Sequence, residues 1–467
     1  MKKEANLPKN KLSGSFRDPC GYIYFEGSVV KRAVLPKYFD QYQALKDSGF
    51  FEKAIKHKLL IPHTEDTVTS DFISLTPKEI PFITYPYEWS FEQYKDAALH
   101  TLKLQKYAVQ NGFILKDASA FNVFFHKGKP IFVDTLSFDF YKEDSPWRAF
   151  KMFVTNFLSP LVLAHYHGPD IFKMMQTHID GIPLSLTSSL LPWRTKFNPM
   201  LYSNIHLMAR MENKYQDVKQ RNIEQPKLSR KKHLKHLDAL YGYIQNLSIK
   251  QNSEWGNYYN DIHYKPKSLK FKMEQLDKWV DGIEAKKLLD IGGNNGTVAR
   301  TLYKNIDCVV VGDIDTNAVD SNYKEVKRTA ETNMIPLILN VLNPSPNTGY
   351  NNDERVSILE RLIDFKPDVT LALAIVHHIA LSGNVPFEQI AAFFSKISEK
   401  LIIEFPLRDD PMVQVLLKQK MEFESHFDFY TIELFEKFFA SYFRVDEKIE
   451  IPNTKRVLFL MSRNDKQ

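Results

Sequence analysis

The nine residues Leu288-Leu-Asp-Ile-Gly-Gly-Asn-Asn-Gly296 constrain this chain more than any other stretch: an apolar run delivers an acid to a strand end, and a glycine-rich turn then opens a helix. Such a turn brings backbone close to a ligand. Gly292 and Gly296 can take positive φ, and Asn294 is the best non-glycine residue for the left-handed conformation. Asp290, two residues before the first glycine, would repel the pyrophosphate that a dinucleotide-binding turn holds at its helix N-terminus. The carboxylate favours a ligand with a cationic amino group, and S-adenosylmethionine carries one.

Short apolar runs at 288–291, 308–312, 336–341, 369–374 and 401–405 read as buried parallel strands, separated by helical patterns at 298–305, 318–331 and 387–400. This is the rhythm of an α/β, doubly wound sheet. Residues 442–451 and 456–461, flanking Pro452-Asn453-Thr454, predict a terminal antiparallel hairpin. At the second strand tip Asp313 is placed to accept hydrogen bonds from ribose hydroxyls, with Ile314 beside it, while Asp315 either caps the helix starting near Asn317 or reaches the ligand. Asn340, after the third run, offers an amide to the adenine edge. The fourth run continues to His377-His378, where the ligand crevice of such a sheet lies.

This ordered set, Asp290, Gly292, Gly293, Asn294, Gly296, Asp313, Ile314, Asn340 and His377-His378, resembles the class I S-adenosylmethionine-dependent methyltransferases over residues 286–463. The resemblance implies a seven-stranded sheet, S-adenosylmethionine as cofactor, direct transfer of its methyl group to a nucleophile, and no metal in this domain. The sequence departs from the pattern at Asn294, in the place of a glycine, and at Asn340, in the place of an acid. His377 and His378 are candidate general bases because imidazole titrates near neutrality, or they shape the crevice. Glu404, at the tip of the 401–405 run, is a base or a scaffold.

Upstream, Asp117, Asn122 and Asp134 form a second constellation: runs at 123–126 and 130–133, joined by Lys127-Gly128-Lys129, predict a hairpin that returns Asn122 and Asp134 to one end. The five-residue step from Asp117 to Asn122 resembles the catalytic loop of protein kinases and small-molecule phosphotransferases. That resemblance implies an α+β kinase-like domain with Asp117 as base, magnesium at Asn122 and Asp134, and ATP. Lys31, on the second strand of a hairpin at 21–34, would meet the phosphates, with a hinge strand at 81–89 and a long helix at 91–111. Departures are the missing glycine-rich phosphate loop, Leu115-Lys116 before Asp117, and Thr135-Leu136 after Asp134. A degenerate, substrate-holding domain is the competing reading.

A chain of 467 residues exceeds what one hydrophobic core organises. The expected division is a kinase-like domain at 1–211, a helical and aromatic linker or lid at 212–285, and the methyltransferase domain at 286–467. The cluster Lys227, Arg230, Lys231, Lys232 and Lys235 leads into Leu237, Leu240, Tyr241 and Ile244 at helical spacing, a solvated helix rather than a nucleic-acid patch, since no aromatics alternate with the charges. A net charge of +6 over this length likewise gives no indication of nucleic acid. The aromatic stretch 255–264 reads as a loop over the cofactor or a plug between domains. Two cysteines, Cys20 and Cys308, are too few for a disulfide framework or zinc cluster and fit a reducing compartment. Residues 153–172 are apolar but interrupted by Asn156, Ser159, Pro160, His165, His167 and Asp170, so a buried helix is expected there instead of a bilayer span. With no apolar stretch behind Lys2, Lys3, Lys9 and Lys11 either, a cytoplasmic enzyme is expected. The order of the whole chain, with Asp-Pro-Cys-Gly, Tyr-Pro-Tyr-Glu-Trp-Ser, Leu-Lys-Asp-Ala-Ser-Ala-Phe-Asn-Val and Thr-Leu-Ser-Phe, resembles a bacterial family that includes rhizobial nodulation host-specificity methyltransferase proteins. The resemblance implies a carbohydrate or other small-molecule acceptor.

Overall fold

The computed structural model describes residues 7–215, 227–249, 265–302, 305–420 and 425–464. The chain forms two compact units, one of Met1–Lys250 with Asn347–Arg355, the other of Gln251–Pro346 with Val356–Gln467. The stretch expected as a linker is thereby divided. Helix Arg230–Gln245 packs on helix Phe91–Gln110 in the first unit, burying Leu237, Leu240 and Ile244 and pairing Lys106 with Asp238 at 2.6 Å. Helix Pro266–Ile283 instead joins the core of the second unit through Leu276, Trp279 and Val280. The aromatic stretch 255–264 lies outside the described residues.

In the first unit, β1 (Gly21–Glu26), β2 (Val29–Val34), β3 (His63–Val68) and β4 (Ile73–Pro77) form an antiparallel sheet in the order β1-β2-β4-β3. Two small pairs follow, β5 (Phe113–Leu115) with β8 (Phe138–Phe140), and the expected hairpin of β6 (Val123–His126) and β7 (Lys129–Phe132). The hinge strand expected at 81–89 is instead a 3-10 turn, Pro86–Glu88. Pro81 and Pro86 lack the N–H a ladder needs, and the Glu88 carboxylate closes the turn by accepting from Tyr85 N–H at 2.9 Å. The apolar stretch from 153 is a buried helical segment, as expected, but it widens into a π-helical turn over Val154–Leu158. Pro160 has no N–H for the carbonyl of Asn156, and the Tyr94 hydroxyl donates to that oxygen at 2.6 Å. Among the described residues no helix is long and apolar enough to cross a membrane.

The second unit is built on a seven-stranded sheet of β9 (Lys287–Ile291), β10 (Cys308–Asp313), β11 (Met334–Ile338), β12 (Val369–Ala372), β13 (Lys400–Pro406), β14 (Phe443–Glu450) and β15 (Arg456–Arg463). Its order is β11-β10-β9-β12-β13-β15-β14, with β9 to β13 parallel and β15 antiparallel to both β13 and β14. Numbered within the unit, this is the third-second-first-fourth-fifth-seventh-sixth arrangement of the class I methyltransferase fold, with the expected terminal hairpin at one edge and its last strand between β13 and β14. The fourth strand is shorter than its apolar run: it stops at Ala372, Ala374 turns to φ 51°, and His378–Ser382 form a π-helical turn. His377 and His378 therefore sit on a turn and not at a strand tip.

Candidate functional site

At the carboxyl ends of β9 to β12 lies a cavity of about 220 Å³, its walls supplied by the loops that follow these strands. The glycine turn forms one wall. Gly292 and Gly296 adopt φ 75° and 74°, and Asn294 takes φ 49°, the left-handed conformation expected of it. A Cβ on Gly293 would fall 2.6 Å from Asp290 Oδ2, and one on Gly296 2.7 Å from the buried amide of Asn322. Arg300 braces the turn by donating to the carbonyl of Asn295 at 2.6 Å and to Asn322 Oδ1.

Beneath the turn, Asp290 is buried behind the cavity wall and is not itself a lining residue; its Oδ2 has no hydrogen-bond partner. Burial, and then the nearby Asp313 carboxylate, push its carboxyl up to about 7. Asp313 lines the cavity; its Oδ2 accepts from Asn294 N–H at 2.7 Å and its Oδ1 from Asp315 N–H at 2.8 Å. Burial raises this carboxyl as well, against those backbone donors. Asp315 caps helix Thr316–Thr329, accepting from the N–H groups of Asn317 and Ala318, and is absent from the cavity wall. Ile314 and Asn340 are on that wall, with the Asn340 Oδ1 accepting from Leu342 N–H at 2.9 Å.

The three candidate bases separate. His378 lines the cavity, and burial, then the charge of Arg456, hold its imidazole below the ordinary value. His377 packs against it with ring centroids 4.2 Å apart and planes tilted by 39°, but is fully buried off the wall, and neither ring nitrogen has a hydrogen-bond partner. Glu404 is also fully buried off the wall, engaged by Lys272 and, at 3.0 Å, by Arg456, which also donates to Asp410 at 2.8 Å. Two cations and two carboxylates thus meet at this end of the sheet, and the Glu404 carboxylate faces them and not the crevice. Sequence reasoning missed Leu342, Ile375, Ile379 and Ser382, which are also on the wall, and Ala374, whose positive φ no sequence pattern announces.

In the first unit the hairpin does return Asn122 and Asp134 to one end, with Val133 N–H donating to the Asn122 carbonyl at 2.9 Å. Asp117 lies close by, its carboxyl raised by burial and then by Asp134. The arrangement does not fit magnesium. Asp134 accepts from Arg32 and from Leu136 N–H on one oxygen and from the Ser137 hydroxyl on the other, so a cationic partner already holds the carboxylate that a hard cation would require. Arg32, not Lys31, faces this cluster. Neighbours on a strand point to opposite sides, and Lys31 pairs with Glu26 and Asp66 instead. Among the described residues no group of His, Cys, Asp and Glu is arranged to hold a metal ion.

No protein-family model matches the chain. It is 28% identical over 478 residues to nodulation protein NoeA of Rhizobium meliloti (strain 1021), covering 97% of this chain and 96% of that protein. Among solved structures, magnesium protoporphyrin IX methyltransferase (ChlM) from Synechocystis PCC 6803 with bound SAH aligns over 49% of this chain and 95% of its own, at 14% identity and a TM-score of 0.31. N-methyltransferase NodS from Bradyrhizobium japonicum WM9 aligns over 42% and 98%, at 9% identity and a TM-score of 0.27. The fold assignment rests on the strand order and the glycine turn described above.

Proposed function

We propose that the chain is an S-adenosylmethionine-dependent methyltransferase acting on a small-molecule or carbohydrate acceptor. The observation that carries this reading is the orphaned, buried Asp290 oxygen under a glycine turn that opens on a cavity lined by Asp313, Ile314 and Asn340. The wall fits the cofactor, with Asp313 for ribose hydroxyls, Ile314 and Leu339 for the faces of a base and Asn340 for its polar edge, while Asp290, buried behind the turn, supplies the negative charge that complements an amino group. When bound, the cofactor supplies an activated methyl group. The chain's own part is alignment and proton removal. His378, held neutral at physiological pH, is the wall residue able to take a proton from an acceptor hydroxyl or amine, while His377 and Glu404 fix the turn and strand around it.

Calorimetric titration with S-adenosylmethionine tests the reading. Binding at about 7 to 9 kcal/mol is expected, weakened at least about tenfold in Asp313→Ala; no heat at high cofactor concentration would sink it. For the N-terminal unit we propose an acceptor-holding role in place of phosphoryl transfer, because Arg32 occupies Asp134. Magnesium-dependent ATP binding would overturn that choice and restore the bifunctional alternative.

A further inference from the structure

We propose that the N-terminal unit carries a docking ridge for an anionic membrane surface, formed by Trp193, Arg194, Lys196 and Phe197. This goes beyond the methyltransferase reading and does not depend on it. Trp193 is 73% exposed and Phe197 76%, and their rings pack edge to face at 5.6 Å. They project from the 3-10 helix Trp193–Phe197, which Pro192 precedes and Pro199 closely follows. Its inner side is pinned. Thr195 is buried and its hydroxyl bonds His206 Nε2 at 2.9 Å, while His206 Nδ1 bonds the Ser188 hydroxyl at 2.8 Å. Two large aromatic rings are thus held outward by a rigid, hydrogen-bonded base.

The surroundings identify the occupant. Of the eighteen exposed large hydrophobic residues among the described residues, five, namely Leu190, Trp193, Phe197, Leu207 and Met211, fall within residues 181–211. That stretch contains no Asp or Glu but does contain Arg194, Lys196 and Arg210, all exposed and, among the described residues, without an ion-pair partner. Of the acids that bracket it, Glu212 pairs with Lys151, and Asp180 lies 3.4 Å from Arg17. Two aromatic rings flanking two unpaired cations, in a segment that also exposes aliphatic side chains, suit a headgroup layer: cations meet lipid phosphates while the apolar side chains enter the acyl boundary. Nucleic acid would use the rings and the charges but leave Leu190, Leu207 and Met211 without a role.

The full chain is tested by co-sedimentation with vesicles of phosphatidylcholine alone and of phosphatidylcholine mixed with phosphatidylglycerol, at low and high salt. Wild-type protein is expected to bind the anionic vesicles preferentially and to release in high salt. The double variant Trp193→Ala/Phe197→Ala should bind at least about tenfold more weakly, and Arg194→Gln/Lys196→Gln should lose the preference for anionic lipid. Both variants should keep wild-type thermal unfolding, because the substituted side chains are exposed. Absence of wild-type binding to anionic vesicles, or equal binding by wild type and the aromatic double variant, overturns the proposal. Self-association that disappears in the double variant, without lipid binding, would assign the ridge to a second copy of this chain.

Discussion

Asp290 shows how a single residue can couple cofactor affinity to pH. Its carboxyl sits near 7 because it is buried and faces Asp313, so in neutral solution a substantial fraction carries a proton. A cationic amino group binds the ionised form, and that proton must leave. Affinity therefore falls as pH falls below the raised value: between about pH 7 and 5.5 the dissociation constant for S-adenosylmethionine should rise by about an order of magnitude. Asp290→Asn should bind more weakly but with a flat profile, and a sloping profile in that variant would assign the effect elsewhere. His377 acts on stability in the same pH range. Its imidazole is held well below the ordinary value by burial first and then by His378 and Arg456. Below about 6.5 the unfolded chain takes up a proton that the folded chain refuses, so stability is lost as pH falls. His377→Leu should flatten the acid side of the melting-temperature profile, whereas an unchanged slope would show that another group dominates.

Among elements, helix Pro266–Ile283 is tied to the sheet by more than its apolar face. Leu276, Trp279 and Val280 bury against the core, and Lys272 reaches from the same helix to Glu404 at the tip of β13. Removing one partner of a buried pair leaves the other charge under-compensated, so Lys272→Met should destabilise the protein by about 3 kcal/mol in denaturant unfolding even though methionine suits the space. A loss comparable to that of a surface pair would mean that Arg456 alone satisfies Glu404. The positions of most elements in this half were legible in the sequence, because fully buried parallel strands are continuous apolar runs. The fourth strand was overread for the same reason: apolar residues continue past Ala372 into a turn that buries Leu373 and Val376 and half-buries Ala374 and Ile375, and hydrophobicity alone does not distinguish the two.

Across the whole molecule, segment Asn347–Arg355 is the feature that simple domain order hides. It is flanked by sequence of the second unit yet belongs to the first. Arg17 holds the buried Glu354 carboxylate through Nε and NH2, at 2.9 to 3.0 Å; Arg355 lies over the Phe121 ring at 4.5 Å, and Phe16 packs on Tyr350 at 5.6 Å. A fragment spanning 253–467 retains every residue of the cofactor cavity but leaves this segment without Arg17, Phe16 and Phe121. It should bind S-adenosylmethionine about as well as the full chain while becoming cleavable within 347–355 by limited proteolysis. Resistance there, equal to that of the full chain, would show that the segment does not rely on those contacts.

Local order alone determined the turn from Asp290 to Gly296, the strand run that feeds it, the acid at Asp313 and the hairpin that joins Asn122 to Asp134, because each is specified by neighbours within a few residues. Tertiary structure decided the rest. Glu404 is paired by Lys272, 132 positions away, and Glu354 left its own half of the chain for Arg17, 337 positions away. The choice of Arg32 over Lys31, and of His378 over His377, depended on which face of an element met its neighbour. A carboxylate's role follows from the charge that reaches it in three dimensions, and pairings over such separations leave no periodic trace in the sequence.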